Sequence, residues 1–260
     1  MFLLCIVLIW IILFSFLGSL GAITAAGGFL LLNEKTQNLL TGILISYATG
    51  TLLAAALLGL IPEAIEIAGN DPHSIMLFVL GGILFFFFLE KIIIWRNCPD
   101  ETCDVHSEAG GALILIGDAF HNFTDGFVIA AAFLTDFTIG IAVSVAIIAH
   151  EIPQETGDFG ILLHSGYSKK RAFILNALSS STTIPSAIIS YFVLGALSTI
   201  IPYVLAISAA SFLYIALSDL TPELHRKLGI KYSVRQLILI ILGIVTMMFV
   251  FTLGVHNLPS

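Results

Sequence analysis

Apolar residues occur in eight long runs that are separated by short polar stretches. A helix needs about 20 consecutive apolar residues to cross the hydrocarbon core of a bilayer. The runs cover residues 1–28, 39–60, 75–94, 109–133, 137–163, 172–197, 201–217 and 234–255. The pattern therefore predicts an all-α integral membrane protein with eight transmembrane helices, in which residues 1–260 form a single transmembrane domain.

Composition supports this interpretation, because 58% of the residues are hydrophobic and only 10% are charged. Such values exclude an ordinary soluble domain. The first run has no basic residue before it and is longer than the core of a typical secretory leader, which has about 7–15 residues. We therefore interpret it as a retained helix, and a cleaved leader is the alternative.

The basic residues predict how the helices are oriented. All ten Lys and Arg residues fall in or beside the stretches that follow helices one, three, five and seven. Cytoplasmic loops are enriched in Lys and Arg, so these loops are expected to face the cytoplasm and both termini to lie outside. Short loops favour the plasma (inner) membrane. The opposite loops carry Glu66, Asp71, His73 and Asp136.

A short sequence is repeated near the ends of the second and seventh predicted helices. Residues 60–63 read LIPE and residues 220–223 read LTPE. By the predicted topology the two copies face opposite sides of the membrane, which is typical of the inverted repeats of secondary transporters. We therefore expect a 3+2+3 arrangement, in which two repeats of three helices flank a central pair.

The central pair carries the polar residues with the chemistry of a site. On the fourth helix, Asp118, His121 and Asp125 are three and four residues apart and share one face, with Asn122 beside them. On the fifth helix, His150 and Gln154 form a similar stripe. Its companion stripe consists of Glu151, Glu155 and Asp158.

These side chains are costly inside a membrane. A charged residue at the centre of a helix costs roughly 2.5–3.5 kcal/mol on the insertion scale, so the five acidic residues of the pair would cost on the order of 15 kcal/mol if left bare. Imidazole and carboxylate groups together suit a borderline cation such as Zn²⁺, with amide oxygens and water completing the shell. The two stripes therefore predict a metal site at the midplane.

The motifs HNFTDG at residues 121–126 and HEIPQE at residues 150–155 resemble the signature of ZIP-family divalent metal transporters. The similarity is greatest to the branch with HNFxDG in helix four and HExPHE in helix five. It implies uptake of metal toward the cytoplasm by alternating access, with Zn²⁺, or Fe²⁺, Mn²⁺ or Cd²⁺, as transported substrate. It also implies a homodimer, and it implies no enzymatic activity, no cofactor and no nucleic-acid partner.

The resemblance also implies a set of site residues. One or two metal ions would be held at the midplane by His121, Asn122, Asp125, His150, Glu151 and Gln154. Pathway or supporting roles would fall to Asp118, Glu155, Asp158, Glu63 and Glu223. The branch usually has a second histidine at the position of Gln154, so we expect a looser preference for Zn²⁺ here.

Two other functions are compatible with the same residues. A metal- or proton-conducting channel could use the acidic stripe, and an intramembrane metalloprotease could use a glutamate with two histidines four residues apart. The protease motif is broken here, because Gln154 replaces the second histidine. A further hypothesis concerns the predicted cytoplasmic loop 95–108: its residues from Cys98 to Glu108 could capture metal after release, or simply form a solvated acidic loop.

Overall fold

The computed structural model describes residues 2–29, 31–97, 108–226 and 229–255, and this part of the chain is helical without strands. The main helices are α1 (2–29), α2 (34–67), α3 (Pro72–Asn97), α4 (Glu108–Thr135), α5 (Phe137–His164), α6 (169–196), α7 (201–225) and α8 (Ile230–Val255). Seven of these described helices are long and apolar enough to span a membrane. The remaining one, α4, has 28 residues, which is also long enough to cross a bilayer. The all-α membrane fold is therefore confirmed.

Four of the helices are composites of shorter segments. In α1 the π-helical segment Leu17–Gly21 joins Phe2–Phe16 to Ala22–Phe29, and in α2 the π-helical segment Ala55–Leu60 joins Glu34–Ala54 to Ile61–Ile67. In α7 the π-helical segment Ile215–Leu220 joins Ile201–Tyr214 to Thr221–His225, and α6 consists of Lys169–Ser180 and Thr183–Ala196. The loop from Cys98 to residue 107 lies outside the described residues.

The π-helical segments of α2 and α7 directly precede the repeated sequence. The N–H of Ile61 donates to the carbonyl of Ala56, and the N–H of Thr221 donates to the carbonyl of Ala216. A proline follows each of these residues, in the first turn of the next α-helical segment, where its missing N–H is tolerated. Both helices therefore continue past their prolines, and the ends predicted at residues 60 and 217 were too early.

The sixth helix differs from its prediction in another way. It was expected to be continuous over 172–197, but a turn at Ser181 and Thr182 divides it. Pro185 lies four residues after Ser181, and a proline ring clashes with the carbonyl four residues before it. Proline therefore explains the break, which puts two helix ends inside a membrane-length segment.

The packing of the helices follows the predicted inverted repeat. An inverted repeat makes α1, α2 and α3 equivalent to α6, α7 and α8, and α4 equivalent to α5. Under this equivalence, each pair of helices that packs extensively corresponds to another such pair or to itself. The pair α2–α8 maps onto α7–α3, and the pair α4–α6 maps onto α5–α1. The pairs α4–α5, α2–α7 and α1–α6 map onto themselves. The central pair α4–α5 therefore lies between two related halves.

Small residues bring the backbones of these pairs close together. A Cβ atom added at Gly126 of α4 would lie 2.1 Å from the carbonyl oxygen of Thr183 in α6. A Cβ atom at Gly50 of α2 would lie 2.1 Å from the carbonyl oxygen of Ile240 in α8. Close backbone approach at small residues is the usual basis of helix association in membranes, where lipid removes the hydrophobic driving force.

We predict that Gly50→Ala destabilises the protein, because the new methyl group cannot be placed without separating α2 from α8. The expected loss is about 1–3 kcal/mol, the usual cost of overpacking. Gly81→Ala is the matched control, since a Cβ atom there meets nothing within 4 Å. Thermal unfolding in detergent should show a lower midpoint for the Gly50 variant alone, and equal midpoints would contradict the close packing of α2 and α8.

Candidate metal site

A tight turn brings the two polar stripes to the same depth. The last residue of α4 is Thr135 and the first of α5 is Phe137, so only Asp136 connects them. Its carboxylate accepts hydrogen bonds from the N–H groups of Thr138 and Ile139, at 2.7 and 3.1 Å, and thereby caps α5. Residues that lie the same number of positions before and after Asp136 in the sequence are therefore at the same depth in the two helices.

Four side chains converge at this depth. His121 Nε2 lies 3.1 Å from His150 Nε2, 3.2 Å from Glu151 Oε1 and 3.7 Å from Asp125 Oδ2. His150 Nε2 lies 3.3 Å from Asp125 Oδ2 and 3.5 Å from Glu151 Oε1. One ligand atom from each of the four residues falls within 4.8 Å of all the others. We call this group the four-donor cluster.

The cluster lacks the partners that buried charges need. Asp125 and Glu151 are both 0% exposed, and none of their four carboxylate oxygens has a hydrogen-bond partner. In the described part of the chain, neither carboxylate forms an ion pair with a Lys or Arg. Uncompensated buried carboxylates are strongly unfavourable. The arrangement is therefore suited to a cation.

The orientation of His150 is fixed by the backbone. Its Nδ1 lies 3.0 Å from the carbonyl oxygen of Ala146, which can only accept a hydrogen bond. Nδ1 must therefore carry the proton, and in the neutral ring Nε2 presents its lone pair to the cluster. A hydrogen bond of this kind on the outer nitrogen is the usual way to orient a metal-binding histidine.

The distances within the cluster match the size of a zinc site. Bonds of about 2.0–2.2 Å place the ligand atoms of a tetrahedral Zn²⁺ site about 3.3–3.6 Å apart. The five separations between donor atoms given above range from 3.1 to 3.7 Å. Two imidazole nitrogens and two carboxylate oxygens could thus hold one tetrahedral ion with little movement.

Asn122 and Gln154, both predicted as ligands, are directed to Asp118 instead. The Asn122 amide donates to Asp118 Oδ1 at 2.9 Å, and the Gln154 amide lies 3.5 Å from the same oxygen. The oxygen of Asn122 accepts a hydrogen bond from Thr183 at 2.8 Å. The structure thus places four of the six predicted ligands together, whereas Asn122 and Gln154 contact Asp118 beside them.

Helix α6 supplies hydroxyl groups whose role could not be assigned from the sequence. Ser179 donates to Asp118 Oδ2 at 2.5 Å, so both oxygens of this buried carboxylate are bonded. Thr182 and Ser186 donate to backbone carbonyls of α4, at 2.7 and 2.5 Å. The run of Ser and Thr residues at 179–183 was the available signal, because such side chains in membrane helices often bond to a neighbouring helix. The hydroxyls do pack α6 against α4, and they also anchor Asp118.

The other predicted pathway residues lie in different places. Asp158 lines a cavity together with Asp118, whereas Glu155 is fully buried against α6. Glu223 lies at the end of α7, where it forms an ion pair with Arg226 at 3.0 Å. Glu63 lies near the end of α2, which by the alternation of the helices is the opposite end of the bundle.

The cavity connects the four-donor cluster to one end of the bundle. Its volume is about 850 Å³, and it reaches His121 and Gln154 at its inner end. Toward the other end it is lined by residues at the start of α2 and at the ends of α3 and α7: Gln37, Glu90, Glu223 and Arg226. This is the end of the bundle at which the basic residues occur.

Comparison with known proteins places the chain in a family. The family model described as ZIP zinc transporter matches residues 97–250. The zinc transporter ZIP13 homolog of Drosophila melanogaster is 28% identical over 86% of this chain and 81% of its own length. Zinc transporter ZIP13 of Pongo abelii is 35% identical over 78% of this chain and 65% of its own length.

A further relative, zinc transporter ZIP4 of Mus musculus, is 42% identical over 112 residues, which are 43% of this chain and 17% of that protein. The chain therefore spans about two thirds of the Pongo protein and a small part of the mouse protein. The resemblance of the HNFTDG and HEIPQE motifs is confirmed, and the interpretation as a metalloprotease is set aside. The chain belongs to the ZIP zinc transporter family, whose members are transporters and not enzymes.

Proposed function

We propose that this protein carries a divalent metal ion, Zn²⁺ in the first place, across a membrane toward the cytoplasm. The observation that carries the proposal is the four-donor cluster, in which four unbonded carboxylate oxygens face two imidazole rings at the midplane. Nitrogen donors favour a borderline ion over Mg²⁺ or Ca²⁺, which prefer oxygen ligands. Fe²⁺, Mn²⁺ and Cd²⁺ are the other candidate substrates.

The negative charges of the cluster explain why it can cross the membrane only with a bound ion. Asp125 and Glu151 together carry two negative charges, and a divalent cation cancels both. A neutral site is far less costly to move through a dry barrier than one with two bare carboxylates. The loaded cluster can therefore cross between the two sides, whereas the empty one is held back, as a carrier requires.

The cavity and the basic residues support a direction of transport toward the cytoplasm. The cavity extends from His121 to the end of the bundle that carries the Lys and Arg residues, and the positive-inside rule assigns this end to the cytoplasm. Both termini would then lie outside. Toward the other end, the core between α4 and α5 is closed by small buried residues, among them Ala130, Ala142 and Ala146. This closure favours a carrier over a channel.

Release would follow the carboxylates of the cavity. Asp118 and Asp158 lie beside His121 at its inner end, and Glu90 and Glu223 lie near its mouth. Alternating access is supported by the relation between the two halves: Glu63 occupies in α2 the place that Glu223 occupies in α7. A rearrangement that exchanges the halves would open the Glu63 end. The same proposal includes a homodimer, which the family resemblance implies, and a location in the plasma membrane, which the short loops favour.

We predict that the double variant His121→Ala, His150→Ala loses saturable metal flux in liposomes loaded with a fluorescent metal indicator. Loss of two of four ligands should reduce the rate at low metal concentration by on the order of 100-fold or more, since even supporting residues of metal sites contribute about 10–100-fold. Zn²⁺, Fe²⁺, Mn²⁺ and Cd²⁺ would be compared at equal concentrations. Undiminished flux in the correctly folded variant would refute the four-donor cluster as the transport site.

We predict that Gln154→His strengthens the preference for Zn²⁺. An imidazole at this position, within reach of Asp118 and the cavity, adds a nitrogen donor beside the site, and nitrogen donors favour Zn²⁺ over Mn²⁺. The ratio of apparent Zn²⁺ affinity to Mn²⁺ affinity, from competition flux measurements, should rise by about tenfold. Thr156→Ser, which changes a neighbouring residue of the cavity lining, is the control. An unchanged ratio would show that residue 154 does not contact the metal.

A further inference from the structure

A second buried polar cluster lies where α5 packs against the break in α6. It consists of Glu155 of α5 and of Asn176 and Ser180, which are one turn apart in α6, and all three are 0% exposed. The Asn176 amide donates to Glu155 Oε2 at 2.6 Å. The Ser180 hydroxyl also faces the Glu155 carboxylate. We call these residues the α6-break cluster.

Three oxygen atoms of the α6-break cluster form no hydrogen bond of ordinary distance and angle. They are Glu155 Oε1, Asn176 Oδ1 and Ser180 Oγ. The charged groups that act on Glu155 most strongly are acidic residues: Asp118, Glu151 and Asp158. A divalent ion in the four-donor cluster would neutralise Asp125 and Glu151, but it would leave Glu155 without a counter-charge.

The backbone adds a further attraction for a cation. The first half of α6 ends at Ser180, inside a membrane-length segment. The C-terminal end of a helix carries roughly half a negative charge, because its last carbonyl groups point outward. In secondary transporters, the ends of half-helices at such breaks coordinate Na⁺ or protons. Ser180, a member of the cluster, is the last residue of this half-helix, so the cluster lies beside its negative end.

We propose that Glu155, Asn176 and Ser180 form a binding site for a monovalent metal cation, Na⁺ in preference, at the break in α6. The donors are a carboxylate, an amide oxygen and a hydroxyl, and oxygen donors select hard cations. A single carboxylate balances one positive charge. Glu155, Asn176 and Ser180 are not among the residues that line the cavity, so the ion must shed much of its water, which is far less costly for a monovalent than for a divalent ion.

This site is separate from the four-donor cluster, so its test does not depend on metal transport. The full-length protein in detergent, with EDTA present to remove divalent ions, would be titrated with NaCl at constant ionic strength, with choline chloride as the replacement. Binding of an ion to the folded state raises the unfolding midpoint in a saturable way. We expect the midpoint to rise with Na⁺, to rise less with K⁺, and to stay constant in choline. Binding of ²²Na⁺ would be measured on the same samples.

Glu155→Gln removes the charge but keeps a side chain that can pair with Asn176, so it should fold and lose ²²Na⁺ binding. Ser180→Ala removes one oxygen and should weaken binding by about tenfold. The control is Ser165→Ala, which removes another buried hydroxyl without a partner, outside the cluster. It should bind Na⁺ as the unaltered protein does.

Two results would overturn the proposal. One is a wild-type midpoint that is the same in Na⁺ and choline, which would leave water or a proton as the occupant. The other is full Na⁺ binding by both the Glu155 and the Ser180 variants. The His121→Ala, His150→Ala variant should keep its Na⁺ response, so a failure of this site and a failure of the proposed metal transport would be distinguished.

Discussion

Burial of carboxylates at the middle of a membrane-length helix pair is the constraint on which the rest of the structure depends. Asp125, Glu151 and Glu155 are 0% exposed and Asp118 is 4% exposed. Each would be prohibitively costly without compensation. Asp118 is compensated by hydrogen bonds from Asn122, Gln154 and Ser179. The other three carboxylates keep oxygens without a hydrogen bond. Asp118 can therefore support its neighbours, whereas the other three can bind a cation.

The irregular backbone follows from the same constraint. A membrane offers no water to unpaired backbone groups, so breaks and π-helical segments are tolerated where protein or a cavity surrounds them. The π-helical segment of α7 contributes Ile215 and Leu220 to the lining of the cavity, and the break in α6 lies against the buried Glu155. Pro185 follows the break in α6, and Pro222 follows the π-helical segment of α7. The chain thus places these two irregularities beside the buried charges and the cavity.

Sequence reasoning found the elements that depend on local pattern. Eight apolar runs predicted the helices, and the motifs around His121 and His150 predicted the two faces that meet. Their common depth was also predictable, since each lies a similar distance from Asp136. The break in α6 was missed because hydropathy is insensitive to backbone geometry, although Pro185 was a signal. Asn122 bonds to Asp118 four residues away in the same helix, which competes with a role as ligand. Gln154 and Ser179 reach the same carboxylate from 36 and 61 residues along the chain, and these contacts depend on helix packing that the sequence does not reveal.

The four-donor cluster lies between the two helices that the inverted repeat relates to each other. When the halves are exchanged, α4 and α5 exchange with each other, so a site built between them belongs to neither half. The structure shows the cavity on the α7 side of this pair, where Glu223 lies. The related position on the α2 side holds Glu63, at the opposite end of the bundle. Under the proposed alternating access, a loaded cluster between α4 and α5 would reach the Glu223 end in one arrangement of the helices and the Glu63 end in the other.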